Sequence, residues 1–530
     1  MPIPSREIVL AGDASVSGDE IGEACGGRFA ITAPSQVRRI RRTWLDTFDW
    51  RLFRAGLTLE FRSGRGPGGF LLTGRDGEPI TSQPAAPTTG ATAAGCGRRV
   101  GFPCLVGDLP DGPLPEHLAP VAGVRALLPV VRAVSVQTDR RALNADDKTV
   151  AVVTVDQMTL REPRQGTAPV RIVVTPLRGY QSESWRLAEA LAGLPGAGPA
   201  ERSAFESALA VAGRKPADYS SKVRVELTDD MPAARALALI LTSLFGTVQD
   251  NLAGTAGDVD IEFLHDLRIG VRRTRSVLKI AGSMLPADIT QAYRGEFKWL
   301  GDLTTPTRDL DVYLLEYPAM TKGLVAAADR DLQPFSLFLQ RQRAAAQRRL
   351  AQGLRSARFA RLASTWPADL ARIADTRRRH PEAGEFAAQR IAGLHRRVLR
   401  TGGAIGPSSP PQALHDLRKR CKELRYALEV FASLYDPAVH WRAVRELKSL
   451  QDCLGEFQDT EVQLGELRAF AAQMMADRSV PAATLLAMGE VAAAIAVRQR
   501  AARAEFAGRF ADFSSHRGRS RITALTEAAS

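Results

Sequence analysis

Over the first 180 residues, apolar and polar positions alternate with a period near two, the pattern of strands with one buried face. VVRAVSVQTDRRALN and TVAVVTVDQMTL, separated by the turn-rich NADDK, predict a hairpin. APVRIVVTPLRG predicts a further strand, and TSQPAAPTTGATAAGCG (Thr81–Gly97), low in complexity, predicts a loop or insertion. SESWRLAEALAGL and AERSAFESALAVAG change to helical spacing, and GRKPADYSS reads as a linker. From about Val225 the texture is almost entirely helical. MPAARALALILTSLFGTVQDNL, AYRGEFKWLGDL, FSLFLQRQRAAAQRRLAQGL and WRAVRELKSLQDCLGEF predict packed antiparallel helices punctuated by Pro and Gly. The switch of period divides the chain into a β-rich domain (1–213), a linker (214–224), a helical domain (225–512) and a tail (513–530).

The pentapeptide LHDLR occurs twice, at Leu264–Arg268 and Leu414–Arg418, and the repeat extends well beyond it. At an offset of 150, FLHDLRIGVRRTRSVLKIAGSML (Phe263–Leu285) lies over ALHDLRKRCKELRYALEVFASLY (Ala413–Tyr435). In the same register, EFKWLGDLTTPTRDLDV (Glu296–Val312) lies over ELKSLQDCLGEFQDTEV (Glu446–Val462). The helical region thus predicts two similar halves, about 225–380 and 381–512, related by a pseudo-twofold axis.

On a helix, His265, Arg268, Arg272, Arg275 and Lys279 fall at spacings of 3, 4, 3 and 4 and form one stripe. His415, Arg418, Lys422 and Arg425 repeat it, with Glu429 at the fifth position. Apolar stripes run beside them, Leu264, Leu267, Val271 and Leu278 in one copy and Leu414, Leu417, Cys421 and Leu428 in the other. They hold each basic stripe next to a core. A merely solvated face would interleave acids, whereas like charges at these spacings repel unless a polyanion lies over them. Paired histidines heading the stripes suit phosphate contact, which favours the imidazolium. Lys298 and Lys448 fall on the following helix of each half. Arg308 opens an RDLDV turn in the first half, where the second has Gln458. With Lys279 and Arg308 set against Glu429 and Gln458, the first half is expected to bind the polymer more strongly. No GxxxxGK[ST] loop occurs, so binding would rest on side chains lining a surface.

Charge supports this placement. The 530 residues carry a net +13, and residues 1–220 account for only +3, with 26 Lys and Arg against 23 Asp and Glu. A basic domain suits nucleic acid, a phosphate polymer or anionic lipid. Arginine far exceeds lysine, which also fits a GC-rich bacterial genome. The five cysteines (Cys25, Cys96, Cys104, Cys421, Cys453) form no CxxC, as expected in a reducing cytoplasm with neither disulfides nor structural zinc. No unbroken apolar run of about 18 residues suggests a membrane span, and the opening MPIPSREIVLAGDASVSG does not read as a secretory signal.

LHDLRIGVRRTRSVLK, LGDLTTPTRDLDV, LHDLRKRCKELRYALEVF and LKSLQDCLGEFQD resemble the CHAD family, the conserved-histidine α-helical domain, over roughly residues 225–512. The resemblance implies two four-helix bundles related by a pseudo-twofold, a basic surface or central pore, and binding of inorganic polyphosphate, often at polyphosphate granules. The residues it carries over are His265, Arg268, Arg272, Arg273, Arg275, His415, Arg418, Lys419, Lys422 and Arg425, with Lys298, Arg308 and Lys448 beyond them.

TWLDTFDWRLFRAGLTLEFR (Thr43–Arg62) is similar to a stretch of the CYTH family, the tunnel-like antiparallel β-barrel of triphosphatases and class IV adenylate cyclases, and the SSKVR junction resembles CYTH–CHAD fusions. An active member opens with an ExExK strand, whose alternation points both carboxylates and the lysine inward. Here the strand is REIVLAG, with Glu7 followed by Val9 and Ala11. Glu60 stands where a basic residue is expected, leaving Arg62, and VRIVVTPLRG carries no acid. Asp156 reads as a remnant of the acidic set. One or two carboxylates cannot hold the hard cation that phosphoryl chemistry needs.

The expected fold is therefore a multi-domain α+β chain, a degenerate CYTH-like barrel followed by an all-α CHAD domain. The expected function is polyphosphate binding in the cytoplasm, at granules and with granule-associated proteins as possible partners, without membrane, cofactor, metal or catalytic residues. Besides a purely structural helical adaptor with no polyanion affinity, two alternatives stay open. One is an active triphosphatase or polyphosphatase. The other is nucleic-acid binding, which sparse aromatics (6%, with Tyr426 and Trp299 isolated) disfavour.

Overall fold

The computed structural model describes residues 6–11, 16–64, 66–85, 101–375, 380–477 and 480–527. It divides into two units, Met1–Ser220 and Ser221–Ser530.

The first unit is built on an antiparallel sheet of nine main strands. They are β1 (Arg6–Leu10), β2 (Gln36–Asp46), β3 (Thr58–Gly64), β4 (Gly66–Thr73), β5 (Pro79–Pro84), β6 (Leu128–Leu143), β7 (Thr149–Glu162), β8 (Val170–Pro176) and β9 (Ala197–Pro199). Their order is β9-β1-β8-β7-β6-β2-β3-β4-β5. Among the described residues no ladder joins the end strands β9 and β5. The predicted hairpin is β6–β7, closed by Asn144, whose side chain accepts from the amides of Asp146 and Lys148 at 3.1 and 3.0 Å. Alternation works as the period-two pattern requires. Ile8 and Leu10 enter a core with Val153, Ile172 and Leu187, while Glu7 and Val9 face the other way. The Thr81–Gly97 loop reading lies outside the described residues beyond Ala85, and its first residues belong to β5. The expected linker is partly a packed element of this unit. Tyr219 is buried against Phe48, with ring centroids 4.4 Å apart, and Asp218 accepts from Trp50 Nε1 at 2.8 Å.

The second unit holds ten principal helices in two series. The first is α1 (Ala233–Asp250), α2 (Ile261–Ala281), α3 (Ala287–Lys322), α4 (Asp329–Leu354) and α5 (Ala357–Ala374). The second is α6 (Ala383–Gly403), α7 (Pro411–Val430), α8 (Pro437–Ala476), α9 (Ala482–Ser514) and α10 (His516–Glu527). The first three helices of each series begin 150 residues apart, so the sequence repeat is a repeat of helices. Its pseudo-twofold is written into reciprocal bonds. Ala233 N donates to Pro381 O at 2.9 Å and Ala383 N to Met231 O at 2.7 Å. Arg273 pairs with Glu429 and Lys279 with Glu423, so α2 and α7 lie antiparallel. Tyr313 donates to the carbonyl of Gln463, its own counterpart, at 2.8 Å.

Two features depart from the sequence reading. The expected turn at Arg308 is the interior of α3, which runs through Pro306. Pro306 is exposed and lacks only one amide donor, and the Thr304 and Thr305 hydroxyls donate to Gly301 O at 2.8 and 2.9 Å in that turn. The expected tail after 513 is largely α10, with Ile522 and Leu525 buried in the helical core. The stretch Ala233–Ala256 and helix α9 are long and apolar enough to cross a membrane by length and composition. In this fold Leu237, Leu241 and Leu244 of the former are buried in that core.

Candidate functional site

Two apolar clusters leave a polar seam between them. On α3, Tyr293, Phe297 and Leu300 belong to the larger cluster and Leu310 and Tyr313 to the smaller. Thr304, Thr307 and Arg308 fall between. On α8, Leu454 and Phe457 belong to the larger and Leu467 to the smaller, with Gln458, Asp459 and Thr460 between. The basic stripes of α2 and α7 open onto this seam. Leu264, Leu267 and Val271, with Leu414, Leu417 and Cys421, anchor their inner faces at 3% exposure or less. Gly270 permits the contact with α1, since a Cβ there would stand 3.0 Å from Leu244 O.

Fourteen residues were expected to bind, and the structure sorts them by what each already touches. Arg268 donates through Nη1 to Thr304 Oγ1 at 2.9 Å, Thr305 Oγ1 at 2.8 Å and Gly301 O at 3.3 Å, all neutral acceptors. Among the described residues, Arg272 hydrogen-bonds only the Tyr426 hydroxyl of α7, at 2.9 Å. Among the described residues, Arg275, Arg308 and Lys422 lie within 4 Å of no carboxylate, and the His265 ring has no hydrogen bond. Arg308 Nη1 is buried without a partner.

The remaining members are engaged. Arg418 pairs with Asp459 at 2.8 Å and Arg425 with Glu429 at 2.7 Å. The His415 ring bonds Gln458. Arg273 (2.7 Å to Glu429) and Lys279 (to Glu423) clamp the two halves together instead of extending a free stripe. Lys419 pairs with Asp416, Lys298 with Asp302 and Lys448 with Asp452, in exposed one-turn pairs. Lys298 and Lys448 also lie ten residues before Arg308 and Gln458, roughly 15 Å along their helices, outside the seam.

The free members act on one another. Burial, then Arg308, holds the His265 imidazole below its usual value, with Arg272 adding to this and Glu262 and Asp266 opposing it. Burial lowers Arg268 to about 10; Asp309 opposes the shift, and Arg272, Arg308 and Arg275 add to it. Lys422 is pushed down to about 7 by burial, then by Arg272 and Arg418, with Asp459 opposing and Arg425 contributing. Since Arg272 lies on α2 and Lys422 on α7, the two stripes form one electrostatic surface across the pseudo-twofold. The sequence pattern placed each stripe on its helix. It did not reveal Thr304, Thr305 and Tyr426 as contacts, because nothing in the spacing brings these helices together.

In the sheet unit, the acids are held by arginines. Arg42, Glu60 and Asp156 are each about 5–6% exposed. Arg42 donates to both Glu60 oxygens at 2.5 and 3.0 Å and to Asp156 at 3.2 Å. Arg62 also reaches Glu60, at 2.9 Å, and Gln137 reaches Asp156, at 3.1 Å. Burial opposes ionisation of Glu60, but Arg42 and Arg62 hold its carboxyl below the ordinary range. Glu7 is paired with Arg171 of β8. Asp46, in the stretch that carries the second resemblance, caps the short helix Arg51–Arg54. It accepts from the amides of Thr47, Leu52 and Phe53 at 2.7, 2.9 and 2.9 Å.

Comparison with known proteins places the helical unit. The CHAD domain family model matches residues 239–468. Among solved structures, the chain is similar to the CHAD domain of the plant Ricinus communis at 26% identity, covering 58% of this chain and 96% of that one, with a TM-score of 0.45. It is similar to PptA from Streptomyces chartreusis at 19% identity, covering 53% and 99%, with a TM-score of 0.42. It is also similar to a candidate adenylyl cyclase from Hippeastrum, described as having a dominant triphosphatase activity, at 11% identity, covering 41% and 99%, with a TM-score of 0.26. No curated protein matches the chain. The second unit of this chain carries a CHAD domain, at residues 239–468.

Proposed function

We propose that the helical unit binds inorganic polyphosphate along the seam, the polymer lying over α2 and α7. One observation carries the reading. His265, Arg268, Arg272, Arg275, Arg308 and Lys422 gather with no carboxylate within 4 Å among the described residues, and three of them are driven toward losing their protons. Such a cluster is repulsive when empty and is relieved by a flexible polymer of negative charge. Nucleic acid supplies charge too, but base recognition uses open aromatic faces. Here Tyr426 is engaged by Arg272, and Trp299 is covered by Arg358 at 4.4 Å. Surface plasmon resonance with long-chain polyphosphate at rising salt tests the reading. Affinity should fall steeply as counterion release loses its drive. No measurable binding at low salt, or equal displacement by RNA at matched phosphate, overturns it.

We further propose that the sheet unit has no triphosphatase activity and acts as a scaffold. Glu7, Glu60 and Asp156 are already ion-paired, Glu7 with Arg171, Glu60 with Arg42 and Arg62, and Asp156 with Arg42. Phosphate release from tripolyphosphate with Mg²⁺ or Mn²⁺, abolished by Glu7→Ala, would overturn this. A cytoplasmic location at granules follows from polymer binding. A tagged chain that stays diffuse with and without polyphosphate synthesis would exclude it.

A further inference from the structure

The duplication suggests two equivalent anion sites, yet the two halves differ in the groups that meet their matching histidines and arginines. Thr304 and Thr305 hold Arg268 on neutral oxygens. Their counterparts are Leu454 and Gly455, which have no hydroxyl, and Arg418 instead pairs with Asp459 at 2.8 Å. Asp309, the counterpart of Asp459, stays more than 4 Å from Arg268. Arg308 leaves a buried Nη1 unpartnered beside His265, whereas Gln458 accepts from the His415 ring. Arg425 is held by Glu429, whereas the counterpart of Glu429 is Lys279, so Arg275 stays free.

We infer that the domain holds a single dominant phosphate anchor, formed in the first half by His265, Arg268, Arg275 and Arg308 with Arg272 at its edge. The second half serves as a weaker extension along which a longer polymer continues through Lys422. The inference rests on the polyphosphate reading and narrows it to one subsite. The mechanism is electrostatic. A phosphate entering the first half meets cations with no competing carboxylate within 4 Å, and its oxygens accept from Arg308 Nη1, which otherwise stays buried without a bond. A phosphate entering the second half must displace Asp459 from Arg418 and Glu429 from Arg425. The sequence places the asymmetry partly in Lys279 against Glu429. In the structure Lys279 is spent on Glu423 and adds no cation to the anchor; its position matters by leaving Arg275 without the carboxylate that Glu429 gives Arg425, and the rest of the asymmetry lies in Thr304, Thr305 and Arg308.

The test is calorimetric titration of the full chain with tripolyphosphate and with long-chain polyphosphate. Tripolyphosphate should bind once per chain. Arg308→Gln, which installs the residue that the second half already carries, should weaken it about ten- to hundredfold. Arg418→Ala should weaken it less than about threefold. Asp459→Asn, at an exposed side chain where folding is undisturbed, should add a second tripolyphosphate site by releasing Arg418. Two equivalent sites in the wild type, or a larger loss in Arg418→Ala than in Arg308→Gln, overturns the anchor. So does long-chain binding with none of tripolyphosphate. If neither ligand binds, the polyphosphate reading itself fails.

Discussion

On the proposed polyphosphate reading, Lys422 should couple binding to pH, and the size of the coupling follows from its surroundings. Burial, then Arg272, Arg418 and Arg425, hold its ammonium down to about 7 against the pull of Asp459. A polyanion over the seam supplies opposite charge and returns the group toward its ordinary value of about 10.4. The bound state then holds the proton more tightly than the free state. Affinity is therefore greatest below the free value and falls as pH rises from about 7 toward about 10. For one group moving between these two values, the association constant drops roughly 30-fold from pH 6 to pH 8.5, or about 2 kcal/mol. Titration calorimetry with long chains, whose terminal phosphates are few, at constant ionic strength and pH 8 in two buffers of different ionisation enthalpy reads this directly. Uptake should be about 0.9 proton per site. Lys422→Arg, charged at every pH used, should remove most of the uptake, leaving the share that His265 contributes, and keep its affinity at pH 8.5. Equal heats in the two buffers, or undiminished uptake in Lys422→Arg, would refute the reasoning.

Three further outcomes follow from the packing. Glu429→Gln removes the carboxylate that holds Arg273 and Arg425, each at 2.7 Å. Urea unfolding should show a loss of about 1–3 kcal/mol, while polyphosphate affinity at low salt rises. Glu60→Gln leaves the buried Arg42 poorly compensated and should cost about 3–5 kcal/mol in denaturant unfolding of the sheet unit. Phe297→Ala opens a cavity where Phe245 and Trp366 meet that ring, at 6.4 and 5.6 Å between centroids, and should lower helical-unit stability by about 3–5 kcal/mol.

Much of the architecture is legible in the chain because it depends on local period. Alternation in VVRAVSVQTDRRALN and TVAVVTVDQMTL announces β6 and β7, and the offset of 150 recurs in the starts of three helix pairs. Local rules mislead where tertiary contacts override them. The RDLDV stretch at Arg308 read as a turn, but with apolar positions packed on both sides of it α3 runs through as helix. Residues 214–220 read as linker by composition, yet Tyr219 and Asp218 pack on Phe48 and Trp50. The tail became α10 because Ile522 and Leu525 find a core that distant residues supply.

The sequence by itself determined that His265, Arg268, Arg272 and Arg275 share one helix face, and that a second such face exists 150 residues on. Helical spacing alone is enough for that. Only the tertiary structure decided which of these charges remain open. Neutralisation depends on approaches of a few ångströms between side chains far apart in the chain. Arg273 and Glu429 are 156 residues apart and Arg418 and Asp459 are 41 apart, and no periodicity encodes either distance. A stripe read as uniform is for that reason divided. Some of its cations fasten the fold, and the rest, mostly in the first half, lie within 4 Å of no carboxylate among the described residues.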